Sequence, residues 1–277
     1  MNTDKDIRKS VIAGSWYSAN PVILKREIDD FLHRASDHKI EGQIIGLIAP
    51  HAGYVYSGQI AAYAYNTIRG KMFDTVIVIG PSHRTYFQGV SVYHKGGYET
   101  PLGIVPSDIS LANRMMAKGG ILSHVPAAHL QEHSIEIQLP FLQVSLGDFK
   151  FISLVMGDQS RHTCETLADS ISEAVEDQQI LIVGSSDLSH FHPYNTAVKL
   201  DHVALSSIEK MDEEGLLNDL SRDQCEACGG GPMAVTMMVS KKLGAGDGRI
   251  LKYANSGDVT GDKKSVVGYA SAVFFKR

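Results

Sequence analysis

"GLIAPHAGYVYSG", residues 46–58, begins as an unbroken apolar run, stops at Pro50, presents His51, and then turns through two glycines flanking Tyr-Val-Tyr. The same punctuation recurs in "TVIVIGPSHR", residues 75–84, and in "ILIVGSSDLSH", residues 180–190. An apolar run without polar alternation reads as a strand buried on both faces, so the polar residues that follow stand at its carboxyl end. With a fourth run, strands are predicted at 44–49, 75–80, 151–156 and 180–184. They alternate with amphipathic segments, the pattern of βαβ units in an α/β fold with a mostly parallel sheet.

Helices to cover that sheet are predicted at 21–35, 58–69, 108–118, 134–146, 163–177, 196–211 and 232–243, the last opening on Pro232. The tail "SVVGYASAVFF", residues 265–275, reads as a final strand paired with 249–255. No repeat or Pro/Ser-rich linker divides the 277 residues, so one domain over 1–277 is expected.

Composition narrows the partner. Apolar residues make up 43% and charged residues 21%, ordinary globular usage. A net charge of -5 without any Lys/Arg stripe argues against nucleic acid and for a small ligand. No apolar stretch reaches the ~20 residues that span a bilayer, and the charged N-terminus has no signal-like core, so a cytoplasmic protein is expected. Three cysteines, an odd number, suit a reducing compartment rather than a disulfide framework.

In an open parallel sheet, ligands bind beyond the carboxyl ends of the strands, where the loops converge. His51 lies two residues past 44–49, His83 three past 75–80, and Asp187 and His190 three and six past 180–184. His51 and His83 are 32 positions apart, about one βαβ unit. Their strands are therefore expected to be neighbours roughly 4.8 Å apart, with both rings facing one crevice. Two neutral imidazoles suit a metal ion and leave room for a third ligand and a substrate. Either ring alone reads more readily as a histidine bonded to a nearby carbonyl than as a ligand; recurrence at equivalent strand ends reverses that order and favours the metal.

The third ligand is sought in "CEACGGGPM", residues 225–233. Cys228 precedes a triple glycine and the expected helix start, where the helix dipole favours a thiolate. Cys225 and Cys228 form C-x-x-C, but no second ligand pair stands nearby for a zinc knuckle, and the motif comes too late in the chain for a thioredoxin-like pair. Cys164, within an amphipathic helix, reads as buried filler.

"AAHLQEHSIEIQLPFLQ", residues 127–143, adds Glu132, Glu136, His129 and His133. The two glutamates read equally as charge at a helix start or as functional groups. His133 is expected to support the metal from outside or move protons, and His129 to be structural. Asp187 and His190 admit imidazole orientation, acid/base work or turn formation; acid/base work is the reading adopted for His190. Tyr54 and Tyr56 read as pocket lining or as core. His33, His38, His94, His162 and His202 read as surface or structural. Phosphate-binding glycine motifs and the G-x-S-x-G nucleophile elbow are both missing.

Seven ordered motifs, "AGSWYSA", "APHAGYVYSG", "GPSHR", "EHSIEIQLPF", "GSSDLSH", "CGGGP" and "GYASA", resemble the Memo family along nearly the whole chain. The resemblance implies the fold of the class III extradiol dioxygenases, a three-layer αβα sandwich. It also implies a metal site at His51, His83 and Cys228, with Asp187 and His190 beside it and His133 in the same pocket. Tyr54 is placed at that pocket by its proximity to His51. Prokaryotic members are associated with AMME-type and radical-SAM proteins, which become expected partners.

The dioxygenases that the fold resembles hold ferrous iron with two histidines and a glutamate. Cys228 in place of the carboxylate favours copper, zinc or a redox-active iron, so catechol cleavage is not simply inherited. The expected function is a non-haem metal-dependent oxidoreductase, with iron or copper at the site and His190 or His133 moving the proton. Two alternatives stand beside it: a peptide- or protein-binding signalling protein on the same fold, and a zinc-dependent hydrolase.

Overall fold

Residues 76–79 show why these runs lack polar alternation. Val76 and Val78 pack on one side of the sheet with Leu24, Ala61 and Phe141, whereas Ile77 and Ile79 pack on the other with Leu111, Leu167 and Val235. Each strand thus buries both faces, and two helical layers enclose the sheet. The computed structural model describes residues 6–35, 39–117, 120–175 and 178–277; His38 lies outside them.

In chain order the first half contains β1 (Ile7–Arg8), α1 (Pro21–Arg34), β2 (Gln43–Ala49), α2 (Tyr54–Asn66), β3 (Thr75–Pro81), β4 (Val90–Tyr93), β5 (Gly97–Thr100) and β6 (Gly103–Pro106). Then come α3 (Ile109–Ala117), β7 (Leu122–Ser123), α4 (Pro126–Leu130), α5 (Leu139–Leu146), β8 (Lys150–Met156), α6 (Arg161–Ala174) and β9 (Ile180–Ser185). The last part holds β10 (His190–His192), α7 (Tyr194–Glu209), α8 (Glu213–Ser221), α9 (Gly230–Lys242), β11 (Asp247–Asn255), α10 (Ser256–Thr260) and β12 (Val266–Lys276).

The four strands read from the sequence form the parallel centre of the large sheet, in the order β2-β9-β3-β8. Antiparallel strands extend it at both sides: β12 and then β11 beyond β2, and β4 beyond β8, with short β7 parallel to β4. The expected pairing of the tail with 249–255 is present as β11 and β12. A separate sheet joins β1, β5 and β6.

One expectation is corrected. β2 and β3, which lead to His51 and His83, are not neighbours; β9 lies between them and pairs with both. Their loops therefore close over the end of β9, which brings Asp187 between the two histidines. This order arises from a strand about a hundred residues later in the chain, which local spacing cannot foresee.

Helix starts also shift. α2 begins at Tyr54 rather than residue 58, because Gly58 is a packing position inside the helix: a Cβ there would come within 2.8 Å of the Phe31 ring. α9 begins at Gly230, with Pro232 as its third residue. α8, which opens on the N-cap Asp212 with Glu213 and Glu214 in its first turn, and the short strands lie outside the predicted elements. Among the described residues, no helix is long and apolar enough to cross a membrane.

Candidate metal centre

His51, His83 and Cys228 each bring one ligand atom within 4.8 Å of the others. Three distant stretches meet here because the carboxyl ends of β2 and β3 and the residue before the α9 N-cap Gly229 all border the end of β9.

Hydrogen bonds fix which nitrogen of each ring faces inward. The Ser185 hydroxyl donates to the Ser134 carbonyl at 2.6 Å, so its single proton is committed. It must therefore accept from His51 Nδ1, 3.0 Å away, as it also accepts from Gln138 Nε2 at 2.7 Å. His51 thus carries its proton on Nδ1, and the Nε2 lone pair points at the Cys228 sulfur, 3.0 Å away.

The Glu132 carboxylate settles the second ring in the same way. Its Oε1 lies 2.8 Å from His83 Nδ1 and its Oε2 accepts the His83 backbone N–H at 2.7 Å. Burial alone would raise the Glu132 pKa, but the hydrogen bonds it accepts from His83 and from the Ser134 N–H outweigh burial and hold it down at about 2. An ionised carboxylate only accepts, so His83 Nδ1 is the donor and its Nε2 is free to ligate.

Burial governs the remaining groups. The His51 ring is pushed down to about 3, first by desolvation and then by the neighbouring His83. The Cys228 thiol is pushed far up by desolvation, with Asp187 adding to it. This overturns the expectation that the helix dipole leaves a free thiolate: without a cation, loss of water costs more than the dipole returns. A neutral imidazole and a thiol held together inside the protein suit a cation, which would stabilise the sulfur anion. A tetrahedral ion with bonds of about 2.0–2.3 Å sets neighbouring ligand atoms roughly 3.3–3.7 Å apart, and the three atoms here all lie within 4.8 Å of one another.

A second group of possible ligands, His83, Glu132 and His133, also lies within 4.8 Å. The rings of His83 and His133 are stacked, 4.4 Å apart at 30°, so their lone pairs run side by side instead of converging. Glu132 is spent on hydrogen bonds, and this cluster reads as support for His83.

The sequence-derived residues separate here. Asp187 accepts the His51 N–H at 2.7 Å, and its own N–H points at the Cys228 sulfur at 3.3 Å. Burial raises its carboxyl to about 6. His133 stands against Trp16 and edge-on to His51, with ring centres 4.4 and 5.4 Å away. Desolvation lowers its pKa to about 3. His51, His83, His133, Asp187 and His190 all line a cavity of about 460 Å³, and the Cys228 sulfur stands 3.0 Å from His51 Nε2.

Tyr54 does not join them, which corrects that expectation. Its ring packs in the core with Phe141 and Phe31, and its hydroxyl donates to the Ile137 carbonyl at 2.8 Å. As the first residue of α2 it points down into the helical layer. Tyr56, Trp16 and Tyr269 line the cavity instead. Only the "AGSWYSA" motif hinted at Trp16.

Glu136 proves to be an anchor. Its carboxylate receives Arg8 Nη1 at 2.5 Å, Ser10 Oγ at 2.6 Å, Tyr17 OH at 2.7 Å and the Val11 N–H at 3.0 Å, pinning residues 8–17 and hence Trp16. His129 is structural, buried between Ser91 and Tyr98. Cys164 and Cys225 are buried and stand outside both candidate ligand groups.

The Memo-like protein family matches residues 8–273. The chain belongs to the Memo family. A MEMO1 family protein of Methanobrevibacter smithii is 41% identical over 97% of this chain and 99% of its own length. Another, from Sulfolobus acidocaldarius, is 38% identical over 97% and 99%. The crystal structure of an uncharacterised protein from Escherichia coli K12 shares the fold, with a TM-score of 0.55 at 13% identity, over 83% of this chain and 99% of that one. In this Memo-family chain the motifs around His51, His83, Asp187 and Cys228 converge on one strand end, and a metal ion fits the donor set.

Proposed function

We propose that His51, His83 and Cys228 hold iron or copper, and that the protein is a metal-dependent oxidoreductase acting on a small molecule in the adjoining cavity. The observation that carries this reading is the pair of fixed tautomers: Ser185 and Glu132 occupy both Nδ1 atoms, leaving both Nε2 atoms to ligate beside the Cys228 sulfur. A redox-active ion would supply electron-transfer or O₂ chemistry that side chains lack. One sulfur and two imidazoles favour copper or a softer iron site over magnesium or calcium.

The protein's own groups divide the remaining work. Trp16, Val55, Tyr56 and Tyr269 offer apolar surface that orients an organic substrate and excludes water. His190, half-buried on the same wall, is the ring best placed to exchange a proton with solvent. His133, held near 3, is a weak base and serves to pack and steer His83. Asp187 aligns His51 through its backbone.

The test is elemental analysis of protein purified without added metal or affinity tag, followed by oxygen-electrode assays with candidate organic reductants. About one iron or copper per chain with substrate-dependent O₂ uptake supports the proposal. Stoichiometric zinc without O₂ uptake would move the reading to hydrolysis, and no bound metal would move it to a binding protein.

A further inference from the structure

His190 lies in a wall shared by two cavities. One is the 460 Å³ cavity beside the candidate ligands. The other, about 590 Å³, lies between α8 and the first turns of α6 and α9. The ring borders both, so whatever fixes the backbone at His190 decides which of them it serves.

The backbone here is strained. Phe191, next to His190, has φ +62, a left-handed conformation that costs a bulky residue energy, and its side chain is 74% exposed, so packing does not repay the cost. The pairing of β10 with β12 slips between His190 and His192, as in a bulge that re-aims a side chain.

Two carboxylates clamp this segment. Glu226 Oε1 accepts from His192 Nε2 at 2.8 Å, and its Oε2 accepts the His190 N–H at 3.4 Å. Asp201, buried on α7, accepts the Ser189 N–H at 2.9 Å through Oδ1 and the Tyr253 hydroxyl at 2.7 Å through Oδ2. Gly268 makes room for it: a Cβ there would collide with Asp201 Oδ2.

We infer that Glu226 and Asp201 are positioning residues that hold the strained turn at Phe191 and so keep the His190 imidazole in the metal cavity rather than its neighbour. The inference rests on the proposed metal site for its meaning, but its geometry is independent of any ion. Neither carboxylate needs to touch substrate; both act through the backbone of residues 189–192. Strain of this kind persists only while surrounding contacts over-determine it.

The experiment loads the full-length protein with cobalt(II) and follows the His190 ring by histidine-labelled NMR, with the sulfur-to-cobalt absorption band as control. In Glu226→Ala, His190 should lose most of its cobalt-induced shift while the band stays. Glu226→Gln, which keeps an oxygen for His192, should restore most of that shift. Phe191→Gly removes the penalty on a positive φ while both carboxylates stay, so it should keep the His190 shift and keep or raise the Tm, and added to Glu226→Ala it should restore part of the lost shift. A merely structural role would tie loss of aim to loss of stability. An unchanged His190 shift in Glu226→Ala with the band intact overturns the inference, as does a Glu226→Ala/Phe191→Gly double variant that recovers none of a lost shift. If the wild type shows no sulfur-to-cobalt band, the metal reading fails instead. The aim of His190 is then read in metal-free protein from Overhauser contacts to Val267 and Tyr269, and their persistence in Glu226→Ala also overturns the inference.

Discussion

His51 Nε2 and Cys228 Sγ stand 3.0 Å apart although 177 positions separate them in the chain. Neither carries charge at neutral pH without a cation, because burial lowers the imidazole to about 3 and raises the thiol well above its ordinary range. An ion would convert the thiol to a thiolate, and that exchange governs the behaviour expected of the centre.

Metal affinity should rise with pH. Cys228 must release one proton on ligation, whereas His51, already neutral, releases none. The apparent association constant should increase about tenfold per pH unit, or about a hundredfold between pH 6.5 and 8.5. Zinc titrations against a chelator of known pH dependence measure this, and the chain's one tryptophan, Trp16, packed against His133, offers a fluorescence readout. A flat profile would exclude thiolate ligation.

Glu132→Gln should weaken metal binding about 10–100-fold with the fold retained, because the amide no longer fixes the His83 tautomer as an anion does. Circular dichroism and competitive metal titration check both parts. Unchanged affinity would reduce Glu132 to a packing residue.

Glu136→Gln should cost about 3–5 kcal/mol near neutral pH, since Arg8 would keep a buried charge without its partner. The Arg8 charge and hydrogen bonds from Arg8, Ser10 and Tyr17 outweigh burial and depress the Glu136 pKa below its ordinary 4.5. The carboxylate's contribution is therefore complete above about pH 4.5 and is lost as pH falls through the depressed folded value. Urea unfolding at several pH values should show the gap between wild type and variant closing in acid.

Tyr54→Phe should lower stability by about 0.5–1.5 kcal/mol through the lost bond to the Ile137 carbonyl and leave metal affinity unchanged. A selective loss of ligand binding would return Tyr54 to the cavity.

The central strands were legible because Ile and Val fill both faces of each, and a histidine or aspartate directly after such a strand stands at the ligand-binding edge. The order β2-β9-β3 was not, since which parallel strands become neighbours is decided by contacts distant in sequence. Tyr54 was misplaced because nearness to His51 in the chain does not fix direction: it is the first residue of α2 and its ring turns into the core against Phe31 and Phe141. Glu132 and Glu136 look alike in sequence; only their partners, His83 for one and Arg8 for the other, separate them.

The most direct test of the centre is X-ray absorption at the edge of whichever first-row metal co-purifies. The account predicts one sulfur neighbour at about 2.3 Å and two imidazoles, with the sulfur lost in Cys228→Ser and one imidazole lost in His51→Ala. A shell of oxygen and nitrogen alone, unchanged by either substitution, would contradict it.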